Sequence, residues 1–325
     1  KRIFIQNYSV WFLFLFCIFT LLLVISPKLV FPDFYLLNDK GENSSKMIPF
    51  FSIIGGWWKY LFYIVMINFL GYRYSAKHEK KYFCLAILLF LFSTYLILGT
   101  SRWAIIFHFV VTFYLFGIIF DRTLVKKLLV FVPLFVCLFF LITIYKFQND
   151  LGSDYSLINF ADLFVSQLQD YFSGPSLIGH AIDMGHKYNI TFETCWNDFV
   201  GAIPLLSKTV DQMNRTNILF NQYVISPDTE WFTQIIPATG LGYIYFGSMF
   251  APIFTVVFNI LGLHFDYKLL NTSNLFVKYV LIYCSLWGGL SICFNTQIPF
   301  GNVVVYIFPL YLFYRLFSKL TIKLA

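Results

Sequence analysis

The chain has 325 residues, of which 59% are hydrophobic, 22% aromatic and 12% charged, with a formal net charge of +7. A soluble domain carries about 25% charged residues, so this chain cannot cover a water-soluble surface, and soluble-enzyme, disordered and disulfide-scaffold classes are excluded. The positive charges lie in short segments between apolar runs, which argues against a nucleic-acid partner.

The remaining class is an all-α polytopic membrane protein with about eight transmembrane helices and one long, partly helical outer-face loop. In chain order the apolar runs fall at residues 6–26, 51–71, 82–98, 103–120, 128–146, 237–264, 276–294 and 300–317. Each is long enough to cross the hydrocarbon core. Backbone polar groups in lipid must be paired internally, and the runs show no alternation of the barrel type, so they read as helices. Three regions result: residues 1–146 with five spans, residues 147–236 as the outer loop, and residues 237–325 with three spans and a cytoplasmic tail. The chain opens on Lys1-Arg2 rather than Met, so an upstream piece is expected.

Orientation follows from the basic residues. With both termini in the cytoplasm, 14 of the 23 Lys and Arg lie on the inner side, among them Arg73, Lys80, Lys81, Arg122, Lys126 and Lys127. That obeys the positive-inside rule. Five of the six cysteines fall in apolar runs, and only Cys195 is in a polar stretch, so no loop disulfide is expected within one chain. No cysteine pair has metal-ligand spacing.

The 147–236 loop is rich in Trp and Tyr, which speaks against disorder. Leu157 to Phe172 has apolar residues at helical spacing and is expected to lie as an amphipathic helix on the bilayer. Ser173-Gly174-Pro175 should stop it. A second helix is expected from Pro175 to Lys187. The sixth run should form one span, with Gly240, Gly242 and Gly247 allowing a bend or a close neighbour.

Nucleotide-binding, zinc-protease and hydrolase motifs are absent. Chemistry must come from isolated polar groups near the outer face. The outer loop holds ten acidic residues but only Lys187, Lys208 and Arg215 as cations. Arg102 sits in the short turn Gly99-Thr100-Ser101-Arg102-Trp103. It reads either as an anchor beside interfacial Trp103 or as a bidentate anion clamp. Lys59, after Gly55-Gly56-Trp57-Trp58, reads as interfacial or, if the span starts earlier, as buried and facing the bundle interior or a watery cleft. His180 and Asp183 share a helix face, with His186 three residues further on. A carboxylate beside an imidazole suits a general base, and a solvated face is the alternative. His108, in mid-span, reads as a packed bundle residue.

The turn ending in Arg102, the loop entry Asp170-Tyr171-Phe172-Ser173-Gly174-Pro175 and the run Ile235-Ile236-Pro237-Ala238-Thr239-Gly240-Leu241-Gly242-Tyr243-Ile244-Tyr245-Phe246-Gly247 resemble the Wzy-type oligosaccharide repeat unit polymerases. These make bacterial O-antigen and capsular polysaccharide. The resemblance implies a metal-independent, cofactor-free membrane glycosyltransferase. It would polymerise repeat units carried on undecaprenyl pyrophosphate, at the outer face of the bacterial cytoplasmic membrane. The expected partners are the lipid-linked oligosaccharide, the bilayer, a flippase and a chain-length regulator. In that reading Arg102 and Arg215 hold the pyrophosphate. His180 and Asp183 are the catalytic pair, and Tyr171, His186, Lys187 and Gly240 line the sugar and lipid cleft. A lipid-linked oligosaccharide transporter and an O-antigen ligase-like transferase are the alternatives.

Overall fold

A computed structural model describes residues 4–5, 7–31, 49–97, 102–130, 132–133, 136–137, 174–188, 190, 192–211, 215–224, 235–291 and 294–318. The described residues are helical, without a strand. Five helical stretches are long and apolar enough to cross a membrane: Tyr8–Ile25, Phe50–Lys77, Lys80–Ile97, Ser248–Asn271 and Gln297–Phe317. Trp103–Ile119 and Leu275–Gly289 are shorter apolar helices. The stretch 128–146, expected as the fifth span, lies largely outside the described residues, as does the expected helix 157–172.

Two compact units divide the chain. The first holds Lys1–Tyr155, Leu269–Tyr283 and Phe308–Ala325, and the second Ser156–Lys268 and Cys284–Ile307.

In the first unit, helix α1 (Tyr8–Ile25) is apolar throughout and carries no charge. Its 18 residues extend about 27 Å, close to the thickness of a bilayer core. Ser26 ends it in an extended conformation (φ −166°), as expected of a residue before proline. Helix α2 (Pro49–Lys77) begins on a proline, whose missing N–H costs nothing at that position. It ends at His78, which has φ 53°, and α3 (Lys80–Ile97) returns at once. Helix α4 (Arg102–Ile119) follows, then the short α5 (Arg122–Leu128). The Tyr74 hydroxyl donates to Asp121 at 2.6 Å, tying α2 to the turn before α5.

Large aromatic side chains fill this unit. Trp11 packs on Phe276 and Phe317, with centroids 5.6 and 4.8 Å apart. Buried polar groups are paired where they meet: Tyr63 donates to Thr112 Oγ1 at 2.7 Å, and Ser93 Oγ lies 2.7 Å from His108 Nε2. His108 is completely buried and ringed by Tyr63 and Phe90, a packed bundle residue as expected.

The described part of the second unit begins with α6 (Gly174–Lys187), close to the helix expected from Pro175. Helices α7 (Phe192–Gly201) and α8 (Thr216–Val224) complete the described part of the loop. Leu177, Ala181 and Met184 of α6 pack with Phe220 of α8 and with Ile236, Leu241 and Ile244.

The sixth run is not one helix. It forms α9 (Ala238–Phe246) and α10 (Ile253–Asn271), separated at Gly247. Gly247 has φ 77° and ψ −177°, a region that essentially only glycine enters. Hydrophobic periodicity does not see such a break, because the apolar run continues through it. The chain folds back so closely that a side chain on Gly242 would collide with the Ala251 carbonyl. Gly247→Ala meets no neighbour within 4 Å, so its cost is purely conformational. It should destabilise the protein by about 1–3 kcal/mol, read as a lowered unfolding midpoint in detergent. An unchanged midpoint would show that Gly247 does not hold this backbone in solution.

Helix α11 (Leu275–Gly289) and the final stretch follow. That stretch joins α12 (Gln297–Gly301), a π-helical segment Asn302–Ile307 and α13 (Phe308–Phe317).

Candidate functional site

The most polar assembly of the second unit forms where α7 meets the start of α8. Asp198 lies on the buried face of α7, one helical turn after Cys195, and is 0% exposed. Its Oδ1 accepts the Thr216 backbone N–H at 3.1 Å. Thr216 opens α8, so the carboxylate satisfies one of the unpaired amides of a helix start and faces its positive dipole end. The Tyr245 hydroxyl of α9 donates to Asp198 Oδ2, and Thr216 Oγ1 lies 2.9 Å from the same hydroxyl.

Arg215, the residue before α8, completes the group. Its Nε lies 3.8 Å from Asp198 Oδ1, and its side chain is 19% exposed. The guanidinium rests on Gly201, where an added Cβ would stand 3.2 Å from Arg215 Cζ. A larger residue there would displace the arginine. Burial raises the Asp198 carboxyl above its ordinary range, opposed by the bonds from Thr216 and Tyr245 and by the Arg215 charge. The Cys195 thiol is pushed up to about 11, by burial and then by Asp198. A thiol held that high is protonated at neutral pH and does not serve as a nucleophile.

Beside this group is a pocket of about 210 Å³, lined by Arg215, Ala202, Pro204, Gln297, Ile298, Gly301, Asn302, Val305 and Tyr306. One cation, two side-chain amides and a phenol thus share an otherwise apolar hollow. Asn302, Val305 and Tyr306 belong to the π-helical segment. Such segments often occur where a helix builds a functional site. A fixed guanidinium at a mostly apolar pocket suits an oxyanion, above all a phosphate or diphosphate.

The sequence-derived candidates distribute as follows. Arg215 is at the pocket. Arg102 opens α4 in the first unit, its side chain lying outside the described residues, so neither unit by itself assembles a two-arginine clamp. His180 and Asp183 are both exposed on α6. No hydrogen bond or ion pair joins them among the described residues. His186 Nε2 lies 3.3 Å from the Tyr243 hydroxyl, and the Lys187 ammonium sits over the rings of Tyr188 and Tyr223. Gly240 is buried against α6, where an added Cβ would stand 3.0 Å from Ala181 Cβ, a close helix contact. Tyr171 lies outside the described residues. No group of three or more His, Cys, Asp or Glu among the described residues could hold a metal ion.

Sequence reasoning missed Asp198, Gln297, Asn302 and Tyr306. A signal for Asp198 existed: an acidic residue on the same helix face as Cys195, flanked by Phe199 and Val200. No signal existed for the others: Gln297 falls in the turn between the last two apolar runs, and Asn302 and Tyr306 fall within the last run. No protein-family model, curated protein or solved structure matches this chain.

Proposed function

We propose that this protein is a membrane glycosyltransferase that polymerises oligosaccharide repeat units carried on undecaprenyl pyrophosphate, at the outer face of the bacterial cytoplasmic membrane. The product is an O-antigen or capsular polysaccharide. The observation that carries the reading is the Asp198–Arg215 pair beside a small pocket, in a chain with five helices long and apolar enough to cross a membrane.

In the reaction, a hydroxyl oxygen of the newest repeat unit attacks the anomeric carbon of the growing chain. The bond from that carbon to the diphosphate oxygen breaks, and the diphosphate leaves with the electron pair. The hydroxyl proton passes to a base or to solvent. Negative charge therefore grows on the diphosphate as the bond lengthens. A guanidinium already fixed at that place stabilises the transition state without having to reorganise. Asp198 fixes it: the buried carboxylate is held by Thr216 and Tyr245 and so restrains Arg215 from behind. The apolar lining around the arginine lowers the local polarity, which strengthens the charge–charge attraction.

The test is reconstitution. The purified protein, given lipid-linked repeat units and no nucleotide sugar, should produce a ladder of chain lengths on a gel. Unreacted substrate in a preparation that still binds it would overturn the reading.

A second reading draws on the break at Gly247. Discontinuous helices carry the binding sites of many transporters, and α9 and α10 form such a pair. Movement of a fluorescent lipid-linked sugar across proteoliposomes, with no change in chain length, would favour transport over polymerisation.

A further inference from the structure

The pocket beside Arg215 has an uncharged half that diphosphate binding leaves unused. Gln297 lines it, is 5% exposed, and its side-chain amide has no hydrogen-bond partner among the described residues. An amide at the wall of a cavity that no protein group pairs is available to hydrogen-bond an occupant. Asn302 also lines the pocket. Its Nδ2 donates to the Ile298 carbonyl at 2.9 Å, which orients the amide and leaves Oδ1 as an acceptor. Tyr306 stands one helical turn further along the same π-helical segment and adds a ring and a hydroxyl. The floor is bare backbone: a side chain on Gly301 would stand 2.9 Å from the Ala202 carbonyl.

Chemistry and size narrow the occupant. Planar amides can bond neighbouring hydroxyls of a sugar ring, accepting from one and donating to the next. Apolar walls and an aromatic ring suit the C–H face of a pyranose. The 210 Å³ volume falls below the roughly 300–1,000 Å³ of pockets for drug-sized ligands. It is about the size of one ring, and further sugars of a chain would lie outside it.

We infer that this pocket is a subsite for a single sugar ring carried on a phosphate, with the phosphate against Arg215 and the ring hydroxyls against Gln297 and Asn302. The inference rests on the lipid-diphosphate reading above and adds that the first sugar of the carrier is recognised here. The residues from 297 to 306 then set which sugar is accepted, separately from the grip on the diphosphate.

The experiment compares binding of undecaprenyl diphosphate without a sugar to the same lipid bearing one glucose, galactose or N-acetylglucosamine. The protein is held in nanodiscs and followed by intrinsic tryptophan fluorescence. At least one glycosylated form should bind about tenfold more tightly than the sugar-free carrier, the worth of one or two hydrogen bonds. Gln297→Ala should erase that gain while changing sugar-free binding less than about threefold, which also shows that the variant is folded. Asn302→Ala provides the same measurement if Gln297→Ala does not fold. If none of the three sugars adds affinity, or if both variants keep the full gain, the subsite is wrong and the diphosphate reading stands. If the wild-type protein does not bind even the sugar-free carrier, both fall.

Discussion

Arg215→Ala is expected to lower the rate of chain growth by about 10²–10³, the usual cost of removing one preorganised charge-stabilising group from a transition state. The loss should fall mainly on the rate constant for transfer and less on substrate binding, because diphosphate charge increases as the glycosidic bond breaks. Arg215→Lys should recover little, since the planar fork that fits a diphosphate is lost while the charge is kept. The fold should survive the alanine change, because Asp198 keeps its bonds from Thr216 and Tyr245. Its carboxyl is already raised by burial, and without the arginine that effect is unopposed by a cation. A raised acid contributes stability that is present at low pH and lost as pH rises through its folded value. Arg215→Ala should therefore unfold more readily near neutrality than in mild acid, relative to the parent. Full-length polymer from a folded Arg215→Ala protein would remove Arg215 from the mechanism.

Asp198→Ala attacks the same site from behind and should cost more stability than any other single change in the loop. It strands a mostly buried guanidinium, leaves the Thr216 N–H without its acceptor, and removes one of the two partners of the Tyr245 hydroxyl. Breaking one side of a buried ion pair costs about 3–5 kcal/mol. The measurement is thermal unfolding in detergent, followed by loss of tryptophan signal. Asp198→Asn keeps a carbonyl oxygen for the Thr216 N–H and about the same volume, so it should remain folded. It should still lose activity, because a neutral amide does not hold Arg215 electrostatically. A drop in unfolding free energy of under about 1 kcal/mol for Asp198→Ala would place the pair among weak surface ion pairs instead.

The candidate site was legible in part, and the reasons differ by residue. Arg215 stood out in the sequence because the loop has few cations. Asp198 was one of ten acidic residues there, and only the packing of α7 against α8 separates it from the solvated ones. His180 and Asp183 show the reverse. Their spacing does put them on one helix, but spacing does not fix side-chain direction or burial, and both are exposed on α6. Gln297 was invisible as one polar residue of a short turn between two apolar runs, and Asn302 because an apolar run conceals an amide at its start.

By itself the sequence determined the class, the approximate extent of α1 to α4, the helix near Pro175–Lys187, and the packed state of His108. These follow from hydropathy, helix-stopping residues and the cost of unpaired backbone in lipid, all of which act locally. Tertiary structure alone decided the break at Gly247, where an unusual backbone angle interrupts a continuous apolar run. It alone decided that a carboxylate from α7, an arginine before α8 and a hydroxyl from α9 form one buried group, and that two amides far along the chain complete its pocket. Burial and pairing of polar groups are properties of three-dimensional neighbours, and no one-dimensional period encodes them.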